Sequence, residues 1–443
     1  MKRFLVILLS LGLLAAFSTT VFALDVKFSG EYYAAGMYLD RTTLKKDTAT
    51  DGPSTAFYYQ RLRLRTDFTV SKGLSLITRA DLMERAWGAS RSNVPVVTTN
   101  AVDSAGTVAE NENIVFDWAY VNYRAPIGVF DAGYMNYGST GTIFGNNSAP
   151  QGRIKYSLPI GPFTINTAIS KVKEKSLTAI NAVTTADADN DVYHLEGVYS
   201  WKTGRAGLNV NYYRSAENRP PANNYKSTYF LFTPYAFAKI GPVALQAEVN
   251  YANGKTRLYD DNSGFDDIKL ENWSGWIDAT ADFKMAYAGA SIAYVSGDDP
   301  GTADKVEGGT ISGGRDWNPC LIMFNYYDRA QWVGNLTGYN GATDNGLMAN
   351  AWFFQVRGGV RPVDKLDIMA SVSFANADKK PAGFVKNAYG YEADVTATYK
   401  ITNNLSYMLG VGYLFTGDYY KGTSDANNLS NDYLVLNKLT LVF

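Results

Sequence analysis

Asn431 to Phe443 reads NDYLVLNKLTLVF, and taking every second residue back from the end sorts the stretch into two faces. Phe443, Leu441, Leu439, Asn437, Val435 and Tyr433 fall on one side; Lys438 and Thr440 fall on the other. A period of two with one greasy and one wet side is that of a β-strand between an apolar and an aqueous phase. The last strand of a soluble sandwich has the same look, so this ending alone leaves a membrane barrel and a sandwich both open.

Working outward, the same alternation recurs in segments of about ten residues, as membrane strands require. In Gln60 to Phe68, Arg61, Arg63, Arg65 and Asp67 alternate with Leu62, Leu64, Thr66 and Phe68. From Leu245 to Tyr251 the polar set is Gln246, Glu248 and Asn250, and from Tyr391 to Tyr399 it is Glu392, Asp394, Thr396 and Thr398. A charge on every second residue would be wasted on a helix. The connections alternate as well. Short turns stand at Ser71 to Gly73, Ile127-Gly128, Gly161-Pro162, Thr203-Gly204, Gly241-Pro242, Lys284-Met285, Val363 to Lys365 and Thr402 to Asn404. Between them run longer polar connections, near residues 41–54, 89–112, 138–150, 177–190, 217–224, 256–269, 298–346, 379–387 and 421–430. Short turns on one side and long loops on the other mark an outer-membrane barrel rather than a sandwich. The expected fold is all-β, a transmembrane antiparallel β-barrel of about 18 strands, with 16 as the alternative if one hairpin is misread.

Lys2 and Arg3 precede an apolar run from Phe4 to Phe17, and Val21-Phe22-Ala23 offers a cleavage site, so residues 1–23 read as a signal peptide. The run falls short of the ~20 residues of a spanning helix. Residues 24–443 then form one barrel domain, because no linker or charge block divides them. A net charge of −1 points to neither nucleic acid nor an acidic surface as partner. One cysteine, Cys320, excludes an internal disulfide, and one histidine, His194, leaves little for metal or nucleophile chemistry; no cofactor is implied. Tyrosines number 32, beside 22 Phe and 8 Trp, which suits a lipid–water boundary. A mean hydropathy of −0.18 is what a barrel gives when its lipid contact is hidden in alternation.

The hairpin Phe116 to Gly138, FDWAYVNYRAPIGVFDAGYMNYG, resembles the corresponding hairpin of the alginate-export-like branch of Gram-negative outer-membrane porins. Tyr134-Met135-Asn136 departs from that branch, which often carries Gly-Arg-Gln there, so the likeness bears on the fold more than on alginate. The terminal aromatic, Phe443, resembles the assembly signal that the barrel-assembly machinery reads, although Asn437 stands where an apolar residue is usual. The resemblance implies the bacterial outer membrane as location, its lipid as a partner, and small hydrophilic solutes as passengers.

Assigning alternate residues to the lumen gives a basic set, Arg61, Arg63, Arg65, Arg79, Arg85, Arg124, Arg153 and Lys155, from the early strands. An acidic set follows: Asp67 and Asp81 early, then Glu248, Asp278, Asp282, Glu392 and Asp394 on later strands. A basic wall partly facing an acidic one would guide carboxylates, which arginine grips without losing its proton; alternatively these arginines only pair with neighbouring acids. Constrictions are expected from Gly138 to Pro150 and from Asp298 to Gly346. The latter holds Trp317, Phe324, Tyr326, Tyr327 and Trp332 among other apolar residues, too much apolar surface to stand in water. Asp187, Asp189 and Asp191 mimic a calcium loop, but Val192 replaces its turn glycine. His194 and Glu196 share one face with no nucleophile marked beside them, so an enzyme is not expected. The function expected is passive diffusion of small hydrophilic, preferentially anionic, solutes. A sleeve for a multihaem cytochrome and a surface receptor or adhesin are the alternatives.

Overall fold

The structure, a computed structural model, describes residues 25–46, 52–88, 114–138, 140–147, 149–174, 189–217, 225–260, 264–310 and 314–443. The expected signal peptide and Asp187 lie outside the described residues. Eighteen long strands form the wall. They are β1 Asp25–Leu39, β2 Thr55–Ser71, β3 Leu74–Ala86, β4 Ile114–Ala125, β5 Gly128–Asn136, β6 Pro150–Ile160, β7 Phe163–Lys173, β8 Asn190–Trp201 and β9 Gly204–Ser215. Then come β10 Tyr225–Ile240, β11 Val243–Tyr259, β12 Ile268–Asp282, β13 Ala286–Val295, β14 Ala351–Val363, β15 Leu366–Asn376, β16 Ala388–Lys400, β17 Leu405–Thr416 and β18 Asp432–Val442.

Each strand pairs antiparallel with the next in sequence, and β18 returns to β1 with Val442 opposite Glu31 and Leu434 opposite Leu39. Closure removes both sheet edges, so every wall strand has a partner on each side. Phe443 completes the seam: its N–H donates to the Gly30 carbonyl at 3.0 Å and its carbonyl accepts from Gly30 N–H at 2.8 Å. The short turns fall where the sequence places them. Gly161 and Gly241, with φ of 57° and 58°, supply the left-handed conformation that two of these tight turns need.

Burial is inverted relative to a water-soluble protein. Ile154, Val356, Leu195, Val372 and Val395 point outward, Ile154 being 68% exposed, whereas Arg61, Arg79, Glu248 and Glu392 are buried inside. Aromatic residues ring both ends of the apolar band. Phe163, Tyr199 and Trp201 cluster beside the short turns; Tyr212 with Phe230 and Tyr251 with Trp273 do so toward the long loops. Asn437, the odd residue of the terminal strand, faces outward and donates to the Gly36 carbonyl at 3.2 Å.

The inner face is not uniformly wet. On the loop side, Met37, Leu39, Phe57, Tyr59, Phe353, Leu434 and Leu436 turn inward and are buried. They are apolar because the barrel is filled at that level by its own chain, in particular by the long connection from β13 to β14.

Candidate functional site

The connection expected to narrow the barrel, Asp298 to Gly346, runs into the lumen and crosses it. Near β14 and β16, Gln355 donates to the Pro319 carbonyl at 2.7 Å, and Glu392 accepts Ile322 N–H at 2.6 Å and Met323 N–H at 2.7 Å. Farther round the wall, at β18, β2 and β3, Trp332 lies 4.2 Å from the Tyr59 ring, Gln331 donates to Glu84 at 2.8 Å, and Lys438 pairs with Asp328 at 2.9 Å. Between these ends the segment folds on itself. Asn318 accepts Tyr326 N–H, Asn325 accepts Asp328 N–H, and the buried Arg329 donates to the Ile322 carbonyl and pairs with Asp344. Trp317, Phe324 and Trp332 are buried in this cross-piece, while Tyr326 and Tyr327 are half-buried on its surface. The Tyr327 hydroxyl donates to Asp316, and burial, then the Asp316 charge, pushes its pKa up to about 12, so it remains a donor at neutral pH.

A second inward segment, residues 140–147, is held by Glu248, whose carboxylate accepts Thr142 N–H at 2.6 Å and Thr142 Oγ1–H at 2.8 Å. Phe144 stands 6.0 Å from Trp276 and 5.3 Å from Trp317, and Asp316 N–H donates to the Asn146 carbonyl. The two segments meet inside the barrel, and a cavity lies against β4 to β10.

The charges therefore divide differently from the expected basic and acidic walls. Arg63 grips Asp81 with two donors at 2.6 Å, Arg65 grips Asp67, and Arg79 reaches Asp117 at 2.7 Å while lying 3.7 Å above Trp118. Arg61 lies between Glu31 and Glu84 at 3.4 and 3.6 Å. This ladder is answered at every rung, which is the pairing alternative. Arg85 does not join it. Met83 adopts a left-handed φ of 53°, the register shifts, and Glu84 takes the inward place, leaving Arg85 opposite Gln60 on the other side. The later acids are not a free wall either: Glu248 and Glu392 anchor segments, Asp394 is buried beside Glu392, and Asp278 and Asp282 pair with Arg357 and Arg361. Arg124 lies exposed next to the turn at Gly73.

Arg153 and Lys155 line a cavity of 470 Å³ together with Arg205, Trp118, Tyr120, Tyr137, Tyr235, His194, Asp131 and Glu196. Arg153 donates to the backbone carbonyls of Asn136 and Tyr137, and Arg205 lies 4.5 Å from the Phe237 ring. Among the described residues no carboxylate forms an ion pair with Arg153, Lys155 or Arg205. The two acids of the cavity are occupied by neutral donors, Glu196 by the Tyr235 hydroxyl and Asn166 at 2.7 Å each and Asp131 by Asn122 at 2.6 Å. His194 sits 2.9 Å from Asn211. Asp189 and Asp191 pair with Lys171, so they are neutralised by a cation already on the chain. Arg205 was readable in the sequence, since it shares the odd positions of its strand with Asn209 and Asn211, but it stands next to a turn with no second basic residue on its strand face. Glu31, Glu84 and Asp117, the acids that answer the ladder, sit on neighbouring strands or at register shifts that periodicity does not reveal.

The barrel is similar over nearly its whole length to solved bacterial channels. OccK9 (OpdG) of Pseudomonas aeruginosa shares 13% identity over 95% of this chain and 99% of its own, with a TM-score of 0.54. A BenF-like porin from Pseudomonas fluorescens Pf-5 shares 11% over 94% and 99%, at 0.52. Pseudomonas aeruginosa OpdK, solved with vanillate, shares 12% over 94% and 98%, at 0.50. No protein-family model and no curated protein matches the chain. The fold is that of Gram-negative outer-membrane channels.

Proposed function

We propose that this protein is an outer-membrane porin through which small hydrophilic solutes diffuse passively, and that it favours anions, carboxylates among them. The observation that carries the preference is the charge of the cavity against β4 to β10. Three cations, Arg153, Lys155 and Arg205, stand there without an ion-pairing carboxylate, whereas the arginines of β2 and β3 are neutralised by their neighbours. These three cations outnumber the two acids of the cavity, Asp131 and Glu196, and a net positive charge beside a narrow aqueous path concentrates anions, whereas tightly paired charge does so far less. Trp118, Tyr120, Tyr137 and Tyr235 add flat apolar surface beside those cations, which suits a carboxylate attached to a ring. That a channel of this fold was solved with vanillate, an aromatic carboxylate, accords with this, and the hairpin's resemblance to alginate-export-like porins accords with sugar acids. The cross-piece takes lumen space that a sleeve for a cytochrome needs, and the inward packing of the long connection argues against a receptor that would display it outside.

Replacing Arg153, Lys155 and Arg205 together with Gln tests the reading through the zero-current potential across a planar bilayer in a KCl gradient. The potential should move toward cation preference at low salt, and the difference should shrink in molar salt as the Debye length falls to about 3 Å. An unchanged potential at low salt in a conducting variant would contradict the assignment of selectivity to this cavity.

A further inference from the structure

The only cysteine of the chain has no Cys or His near it in sequence, yet the fold brings two carboxylates of a distant strand to it. Cys320, at the start of the luminal cross-piece, meets Glu392 and Asp394 of β16 with their ligating atoms within 4.8 Å of one another. The three are 3%, 0% and 3% exposed. Neither carboxylate forms an ion pair among the described residues, and the guanidiniums of Arg329 and Arg357 are engaged by Asp344 and Asp278. Hydrogen bonds answer part of the negative charge: Glu392 takes the N–H groups of Ile322 and Met323, Asp394 takes that of Leu321, the two carboxyl groups lie within hydrogen-bond reach of each other, and Asp394 Oδ2 lies 3.4 Å from the Ser371 hydroxyl. Asp394 Oδ1 is shut off from solvent and has no hydrogen-bond partner. It borders the same small space beside Gly412 as Glu392 Oε1, where a Cβ would approach them to 2.7 and 3.4 Å. Buried carboxylates persist when they are paired, share a proton or bind a metal, and among the described residues no cationic side chain pairs with these two.

We propose that Cys320, Glu392 and Asp394 form a binding site for a divalent transition-metal ion of the zinc type. One thiolate with two carboxylates is a borderline donor set that suits such an ion, whereas calcium and magnesium favour oxygen alone. On binding, the Cys320 thiol proton and the proton shared by Glu392 and Asp394 are released to solvent, and three negative ligands face a dipositive ion. The ion ties the cross-piece to the wall where Ile322 and Met323 already bond to Glu392, fixing the position of the constriction. This inference stands apart from solute preference, which rests on a different part of the lumen.

The full-length protein, unfolded in urea with chelator and refolded into detergent, is titrated with Co²⁺ as a spectroscopic stand-in for Zn²⁺. Folding is checked independently by heat-modifiable gel mobility. The wild type should take up about one equivalent with a thiolate-to-metal charge-transfer band in the near ultraviolet, abolished by added Zn²⁺. Cys320→Ser should fold and lose the band, and Asp394→Asn should weaken uptake at least about tenfold. A folded wild type without the band, or uptake unaltered by Cys320→Ser, overturns the proposal; the first result leaves a proton as the neutralising cation and the second leaves an adventitious ion only. Should Asp394→Asn not fold, the comparison of wild type with Cys320→Ser decides alone.

Discussion

Arg63 and Arg153 occupy equivalent inward positions on β2 and β6, yet their charges have different fates. The Arg63 guanidinium is spent on Asp81, while Arg153 gives its hydrogen bonds to neutral carbonyls and keeps its charge for the cavity. Arg63→Gln should therefore leave Asp81, nearly buried, without its partner and destabilise the barrel by about 1–3 kcal/mol, with ion preference little changed. Adding Asp81→Asn should recover most of that loss, as reversible urea unfolding in detergent will register; a double variant no more stable than the single one would mean that the pair contributes nothing specific. Alternation told which face Arg61, Arg63 and Arg65 share. It could not tell that Glu31, Glu84 and Asp117 would come into register beside them, because counter-charges on adjacent strands are set by pairing, not by sequence distance. Arg85 was misread for a local reason, the left-handed Met83 that shifts the alternation by one residue.

At the scale of elements, the connection between β13 and β14 matters most. Its cluster of aromatic and apolar residues was visible in the sequence and required burial somewhere. The matching inward surface was also present, in Phe57, Tyr59, Leu434 and Leu436, but it reads as a blurring of the wet face until the cross-piece is seen against it. Where chain fills the lumen, the inward side of a strand faces protein rather than water and the period-two rule loses its meaning. Deleting Asn318 to Trp332 removes the portion that reaches from Glu392 to Tyr59, so single-channel conductance should rise severalfold in variants that retain heat-modifiable mobility. Conductance unaltered by that deletion would mean that the ion path bypasses the cross-piece altogether.

The whole molecule is one closed wall with an interior narrowed by two of its own connections, from Gly138 to Pro150 and from Asp298 to Gly346. The strand number, turns and closure were legible because each follows from repeated local pattern. The position of the cavity was not, since it is space left between β4 to β10 and the inward Tyr137, Thr140 and Gly141, away from the conspicuous arginines of β2. Anion passage through that remaining space is the central claim, and single-channel recording of the purified wild-type protein in a planar bilayer with a KCl gradient tests it most directly. Discrete, ohmic steps with a zero-current potential on the chloride side are predicted. A correctly folded barrel that gives no steps, or steps that prefer potassium, would contradict the account.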